Sequence, residues 1–226
     1  ALPISSDPNL ISAAQNIPEM TFAEAAELAY YGGRVLHPST LVPALRSKIP
    51  VRVLNTNHPA HHGTVITRDG GDLTREVTSI AYKKHQTVIT IESPKMLGQP
   101  GFLAKVFEVL GRHDVDVDMI STSEVSVSMT VEPQKALDPA VAELEAHGTV
   151  TLDHSKSLIC IVGRDLKSQH NLAGRAFGAL GHAKIPIEMI SHGANAINLS
   201  LLVDDSLIDA AVPALHDALF ESSKLD

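Results

Sequence analysis

The residues best suited to bind a small charged molecule lie between positions 101 and 124. Asp116 and Asp118 have the same parity in a strand-like stretch, so they are expected to face the same side, and Glu124 follows at the next turn. Gly101 precedes an apolar helical stretch whose first N–H groups have no partner within the helix, which makes that end a seat for a carboxylate. A free amino acid offers both groups that such a site would hold, a carboxylate and an ammonium.

This spacing favours an amino acid with two positive groups, lysine rather than threonine, because two or three carboxylates would gather around it. Ser123 adds a hydroxyl at the same turn as Glu124. From the residues alone an alternative stays open, in which Asp116 and Asp118 are solvated side chains on an exposed strand face.

No motif for catalysis or phosphate binding accompanies these residues. The chain has neither Gly-x-x-x-x-Gly-Lys-Ser/Thr nor Gly-x-Gly-x-x-Gly after a strand. The pair Gly32 and Gly33 is more typical of a helix C-cap than of a ligand-facing loop. His58, His61 and His62 share one polar loop without a nearby cysteine or helical spacing, so no metal site is expected.

Composition narrows the class of protein further. A net charge of −8 and 4% aromatic residues disfavour nucleic acid as a partner. The apolar runs are strand-sized and interrupted by charges, so neither a membrane span nor a secretory signal is predicted, and a cytoplasmic protein is expected. Cys160 is the single cysteine and lies in an apolar stretch, which predicts a buried, inert thiol.

The elements that must position the acidic residues belong to an internal repeat. Shifting the sequence by 70 residues superposes two stretches without a gap. The matched residues are Ile91 with Ile161, Phe107 with Phe177, Leu110 with Leu180, Gly111 with Gly181, and Met119, Ile120 and Ser121 with Met189, Ile190 and Ser191. The chain is therefore predicted to contain two copies of one structural unit.

Each copy has the pattern of a strand, a helix, two strands and a second helix. The first copy has predicted strands at 87–91, 115–120 and 125–131 and helices at 102–110 and 139–147, with a further strand at 149–152. The second has strands at 158–162, 187–190 and 196–203 and a last helix at 206–220. This order predicts an α+β fold of two ferredoxin-like βαββαβ repeats.

A different segment precedes the repeats. Residues 1–20 are expected to be irregular, whereas Thr21 and Glu24 form a capping box at the start of an apolar helix. A short helix at 39–47 and a strand at 49–54 are predicted to follow.

Three stretches resemble aspartate kinases. The run Phe-Ala-Glu-Ala-Ala-Glu-Leu-Ala-Tyr-Tyr-Gly-Gly-Arg-Val-Leu-His-Pro at 22–38 resembles the segment that closes their kinase domain. Gly-Phe-Leu-Ala at 101–104 and Ser-Thr-Ser-Glu-Val-Ser at 121–126 resemble their first ACT repeat. The resemblance spans almost the whole chain and is greatest to the lysine-sensitive, monofunctional branch. It implies a C-terminal remnant of an α/β amino-acid kinase domain at 1–75, then ACT domains at 76–153 and 154–226.

The resemblance also implies a function. It makes the chain the regulatory portion of an enzyme that uses ATP and Mg²⁺ to phosphorylate L-aspartate, the first step toward lysine, threonine and methionine, with no cofactor expected for this portion alone. L-lysine would be the feedback inhibitor, and a homodimer would form through the ACT domains. The implied effector-binding residues are Met96, Gly101, Phe102, Leu103, Asp116, Val117, Asp118, Ser123 and Glu124. Arg34 stands where the family usually has a lysine near the nucleotide, which makes it a candidate ATP contact in the full-length enzyme.

Two other functions fit the same sequence. The chain could be a non-catalytic ACT regulatory subunit, or an amino-acid-binding module of another enzyme such as a dehydrogenase. The kinase-like segment before the repeats argues against both.

Only the first repeat is expected to bind the effector. The 70-residue offset carries Asp116 onto Pro186, Asp118 onto Glu188, Ser123 onto Gly193, Glu124 onto Ala194 and Gly101 onto Asn171. The second repeat keeps the apolar pattern of its core, whereas it loses most of the groups that would hold a charged ligand.

The purified chain is expected to have no aspartate kinase activity, because phosphoryl transfer requires groups that hold phosphates, metal and nucleophile together. Trapping of aspartyl phosphate with hydroxylamine measures this directly. Turnover above the blank without enzyme would contradict the prediction.

Overall fold

The computed structural model describes residues 2–31, 38–58, 60–71, 75–133, 137–193 and 197–221. Its first part holds a three-stranded sheet of β1 (Glu19–Thr21), β2 (Val51–Val53) and β3 (Thr64–Thr67), in the order β1-β3-β2. Helices α1 (Phe22–Tyr30) and α2 (Pro38–Ser47) lie between β1 and β2 in sequence. Helix α2 and strand β2 correspond to the predicted elements at 39–47 and 49–54.

The predicted capping box at the start of α1 is present. The Thr21 hydroxyl accepts a hydrogen bond from the Glu24 N–H at 3.1 Å, and the Glu24 carboxylate accepts one from the Thr21 N–H at 2.8 Å. The second oxygen of that carboxylate accepts a hydrogen bond from the Thr78 hydroxyl at 2.5 Å. Since Glu24 is buried, this bond ties α1 to the chain that enters the large sheet.

The remaining elements form the two repeats. In chain order they are β4 (Ser79–Glu92), α3 (Phe102–Arg112), β5 (Val117–Thr122), β6 (Ser126–Val131), α4 (Leu137–Leu144), β7 (Thr149–Val162), α5 (Leu172–His182), β8 (Met189–Ser191), β9 (Asn198–Asp204) and α6 (Ile208–His216). The strands make one six-stranded sheet in the order β5-β6-β4-β7-β9-β8. The predicted α+β class and its repeated unit are confirmed.

The two central strands are longer than the sequence pattern indicates. Strand β4 begins at Ser79 rather than at residue 87, and the two strands predicted at 149–152 and 158–162 are one continuous strand, β7. The two strands run antiparallel along their whole length, with register shifts around Gln86. His85 and Ser155 have positive φ angles of 62° and 60°, and they are 70 residues apart, so each copy has its bulge at the same place.

The bulges separate two halves of the paired strands. The end of β4 pairs with the start of β7 in the first repeat, whereas the start of β4, Ser79 to Lys83, pairs with the end of β7 in the second. The predicted boundary between residues 153 and 154 therefore falls inside a strand. The division of the chain into sequential domains stays a prediction.

Apolar side chains of alternating residues fill both faces of this sheet. Ile89 and Ile91 pack under α3 and α4, and Ile159 and Ile161 pack under α5 and α6. On the opposite face, residues of alternate parity such as Cys160 pack against the first part of the chain, including Phe22, Leu28 and Ile66. Burial raises the pKa of the Cys160 thiol, in keeping with the predicted buried thiol.

Replacing Glu24 by alanine is expected to lower the free energy of unfolding by about 3 kcal/mol, because it removes a helix cap and leaves the Thr78 hydroxyl without its acceptor. Urea denaturation followed by circular dichroism measures the change. Thr21→Ser is the control, since it keeps the capping oxygen and should unfold close to wild type. An unchanged midpoint for Glu24→Ala would show that the tether to Thr78 contributes nothing.

Candidate functional site

The start of α3 is open in the first repeat. Gly101 is the N-cap residue, with φ 83°, a left-handed conformation that glycine adopts without strain. In the described part of the chain, a Cβ atom built there would meet no atom within 4 Å, and no side chain caps the helix. The following Phe102 is buried in the core under α3, which fixes the position of this helix end. Asn171 is the N-cap of the equivalent helix α5, and it brings a side chain to that place.

Two backbone segments approach the helix start. Residues Pro94–Met96 form a 3-10 turn just before it, and the Ser93 N–H donates a hydrogen bond to the Val125 carbonyl at 2.8 Å. This bond fixes the turn beside the β5–β6 connection. Met96, Leu103 and Val117 are partly buried and pack against the same core, so they provide apolar surface around the site.

The hydroxyl of Ser123 is used within the β5–β6 turn. Its oxygen accepts a hydrogen bond from the Ser126 N–H at 3.1 Å and lies 2.7 Å from the Ser126 hydroxyl. Glu124, the next residue, is exposed. The turn therefore presents an accessible carboxylate, whereas the serine mainly holds the turn in shape.

Asp116 and Asp118, which the sequence predicts on one shared face, differ in exposure. Asp116 is exposed and precedes β5, which begins at Val117, and the pairing of β5 with β6 shifts register between Val117 and Met119. The Asp118 side chain is only 3% exposed. The two acids therefore differ in exposure, and their shared face stays a prediction.

Asp118 contacts a lysine and a tyrosine that are not among the site residues predicted from the sequence. The Lys83 ammonium lies 3.3 and 3.4 Å from the two carboxylate oxygens, and the Tyr30 hydroxyl donates a hydrogen bond to the carboxylate. Lys83 also forms an ion pair with Glu132 at 3.0 Å and lies 4.1 Å above the centre of the Tyr30 ring. Burial, followed by the hydrogen bond to Asp118, raises the pKa of Tyr30, so its hydroxyl keeps its proton.

The second repeat has a related cluster. Glu188 occupies the position equivalent to Asp118, and it accepts a hydrogen bond from Lys156 at 2.8 Å. Lys156 also lies 3.0 Å from Asp153 and 3.9 Å from Asp204. Burial alone would lower the pKa of Lys156, but its hydrogen bonds with Glu188 and Asp153 raise it overall. Both repeats therefore neutralise this acid with a lysine from a central strand.

A cavity of about 730 Å³ lies between the first part of the chain and β4. Lys83 and Glu132 are among its lining residues. Two further lining residues, Ser6 and Gln86, are buried, and the Ser6 hydroxyl and the Gln86 amide oxygen have no hydrogen-bond partner among the residues that the structure describes.

Some sequence predictions lie outside the described residues. Arg34, the candidate ATP contact, and Ala194, the counterpart of Glu124, belong to the segments that the structure does not describe. Within the described ranges, no three histidine, cysteine, aspartate or glutamate side chains gather as metal ligands. The helices in those ranges are all too short or too polar to cross a bilayer.

Comparison with known protein families identifies the class to which this architecture belongs. The ACT domain family matches residues 89–147 and 159–219, and the amino acid kinase family matches residues 4–55. The chain belongs to the ACT domain family, with a segment of the amino acid kinase family in front of its two ACT domains.

Within that class the chain is homologous to aspartokinases. It is 42% identical to Aspartokinase 3, chloroplastic, of Arabidopsis thaliana over 97% of this chain and 41% of the relative. It is 38% identical to Lysine-sensitive aspartokinase 3 of Escherichia coli over 96% of this chain and 49% of the relative. The chain thus spans less than half of each of these relatives.

The solved structures that this chain resembles are also aspartokinases. Escherichia coli aspartokinase III in complex with aspartate and ADP (R-state) matches with a TM-score of 0.88 and 37% identity, over 96% of this chain and 50% of that one. The same enzyme in complex with lysine and aspartate (T-state) matches with a TM-score of 0.82 and 38% identity, over 96% and 49%. The backbone is therefore more similar to the R-state structure.

Proposed function

We propose that this chain is the regulatory portion of an aspartate kinase and that its first ACT repeat binds L-lysine as a feedback inhibitor. The observation that carries the proposal is the open start of α3 at Gly101, beside the β5–β6 turn that carries the exposed Glu124. The similarity to a lysine-sensitive aspartokinase supports lysine as the amino acid.

The proposed site matches each part of the ligand. The lysine carboxylate would accept hydrogen bonds from the free N–H groups after Gly101, where the helix dipole favours negative charge. The aliphatic stem would pack against Met96 and Leu103, while Asp118 and Glu124 would pair with the ammonium groups. Phe102, Asp116, Val117 and Ser123 complete the proposed set and shape the pocket from the helix, β5 and its turn.

The catalytic reaction is proposed for the whole enzyme. It would transfer the γ-phosphoryl group of ATP to the side-chain carboxylate of aspartate, with Mg²⁺ bound to the phosphates. Arg34 stays a candidate contact to ATP, and no described residue is assigned a catalytic role. A cytoplasmic location is part of the proposal, although the Arabidopsis relatives are named chloroplastic.

We also propose a homodimer formed through the ACT domains. Strand β5 is one end of the six-stranded sheet, and exposed strand edges favour pairing with another chain. Three apolar side chains near the candidate site are exposed, namely Leu97, Ile120 and Val125. A second copy that covers them would remove apolar surface from water and place the effector close to the interface.

A free-standing regulatory subunit is the second candidate. The regulatory subunit of aspartate kinase from Thermus thermophilus matches 64% of this chain at 29% identity, with a TM-score of 0.55. The amino acid kinase segment at 4–55 favours the first candidate, because a separate regulatory subunit would not need it.

Isothermal titration calorimetry is expected to detect L-lysine binding, and Asp118→Ala should weaken it by about 2 kcal/mol, or roughly thirtyfold, through loss of an ammonium partner. L-threonine should bind far more weakly, because it lacks the second ammonium. Glu188→Ala is the matched control, since it removes the equivalent acid of the second repeat and should leave the affinity unchanged. Tight threonine binding, or an unaffected Asp118→Ala, would refute the lysine assignment.

The stoichiometry is expected to be close to one lysine per chain in a dimer, because the second repeat has lost Asp116, Ser123, Glu124 and Gly101. Equilibrium dialysis gives the stoichiometry, and sedimentation velocity gives the assembly at saturating lysine. Two lysines per chain would show that the second repeat also binds. A chain that stays monomeric at saturating lysine would contradict the proposed interface.

A further inference from the structure

Asp118 already has a cationic partner in the chain itself. Its carboxylate contacts the Lys83 ammonium through both oxygens, at 3.3 and 3.4 Å, and these two side chains are 3% and 14% exposed. A buried carboxylate is costly unless it is paired, and Lys83 supplies that pairing. An incoming ammonium group would therefore meet a carboxylate whose two oxygens both already contact Lys83.

We propose that Lys83 is a tethered competitor of the effector, whose ammonium occupies on Asp118 the place that the lysine ligand would take. This inference rests on the proposed lysine site and adds the residue that sets its affinity. The same chemical group, a primary ammonium, would be exchanged at one carboxylate. The apparent affinity for L-lysine would therefore depend on the fraction of molecules in which Lys83 is displaced from Asp118.

Glu132 provides the second position that such an exchange requires. Its carboxylate lies 3.0 Å from the Lys83 ammonium and its side chain is 63% exposed, so the pair can persist when Asp118 is taken by the ligand. Lys83 and Glu132 also line the cavity of about 730 Å³ between β4 and the first part of the chain. Lys83 and Glu132 therefore both border an open space, on the side of β4 that faces the first part of the chain.

Tyr30 connects the exchange to the amino acid kinase segment. It is the last residue of α1, its hydroxyl donates to Asp118, and its ring lies 4.1 Å from the Lys83 ammonium. Withdrawal of Lys83 and occupation of Asp118 by a ligand would alter both contacts. Ligand binding and the contact between β5 and α1 thereby become linked, and linked equilibria act in both directions.

The first test compares lysine affinities of the chain by calorimetry. If the displaced state is about one tenth populated, Lys83→Met should bind L-lysine about tenfold more tightly, because the competitor is gone. Lys84→Met is the matched control. It removes the same charge from the next residue, whose ammonium pairs with Asp209 at 3.1 Å, and should leave the affinity unchanged.

The second test uses a change of opposite sign. Glu132→Gln removes the alternative partner of Lys83, so the lysine should stay on Asp118 and the chain should bind L-lysine more weakly, by severalfold. A purely structural role for the cluster predicts no such opposition, since loss of either partner would disturb it in the same sense. Urea midpoints of the variants confirm that each is folded, and Lys83→Gln replaces Lys83→Met if the latter is not.

The outcomes separate the two proposals. Lysine binding by the wild type with an unchanged or weakened affinity in folded Lys83→Met and Lys83→Gln overturns the competitor role alone. Binding by Lys83→Met where the wild type binds below detection supports it. No binding by any of these proteins overturns the lysine site and, with it, the competitor.

Discussion

The antiparallel pairing of β4 with β7 is the constraint on which the rest of the molecule depends. Both strands run through the centre of the sheet, and β6 and β9 add to their outer sides. Because one half of each strand serves one repeat and the other half serves the other, neither repeat completes its sheet alone. The bulges at His85 and Ser155 mark the place where each strand changes from one repeat to the other.

This pairing also determines where the amino acid kinase segment rests. The face of the sheet opposite the four helices carries Val88, Leu158 and Cys160, and the segment covers it with Phe22 and Leu28. Met119 of β5 belongs to the same apolar cluster. The strand that carries Asp118 is thus packed directly against the segment, and a shift of that strand would be transmitted through side-chain contacts rather than through a distant path.

Ion pairing within the chain determines the charge of the proposed site before a ligand binds. Asp118 of β5 and its counterpart Glu188, which precedes β8, are each neutralised by a lysine from a central strand, Lys83 or Lys156. Such pairing is what allows a carboxylate to be buried at all. Effector binding at Asp118 would therefore be an exchange of one ammonium for another.

The sequence alone determined the repeat, its order of strands and helices, the capping box at Thr21 and Glu24, and the open helix start at Gly101, because these depend on residues close together in the chain or on a 70-residue self-similarity. The sequence did not predict the full length of β4 and β7, since the polar residues at their bulges interrupt the apolar pattern. Only the tertiary structure joined Tyr30, Lys83 and Asp118, which lie far apart in sequence. Their contact depends on how β4, β5 and α1 pack together, and no local spacing encodes that.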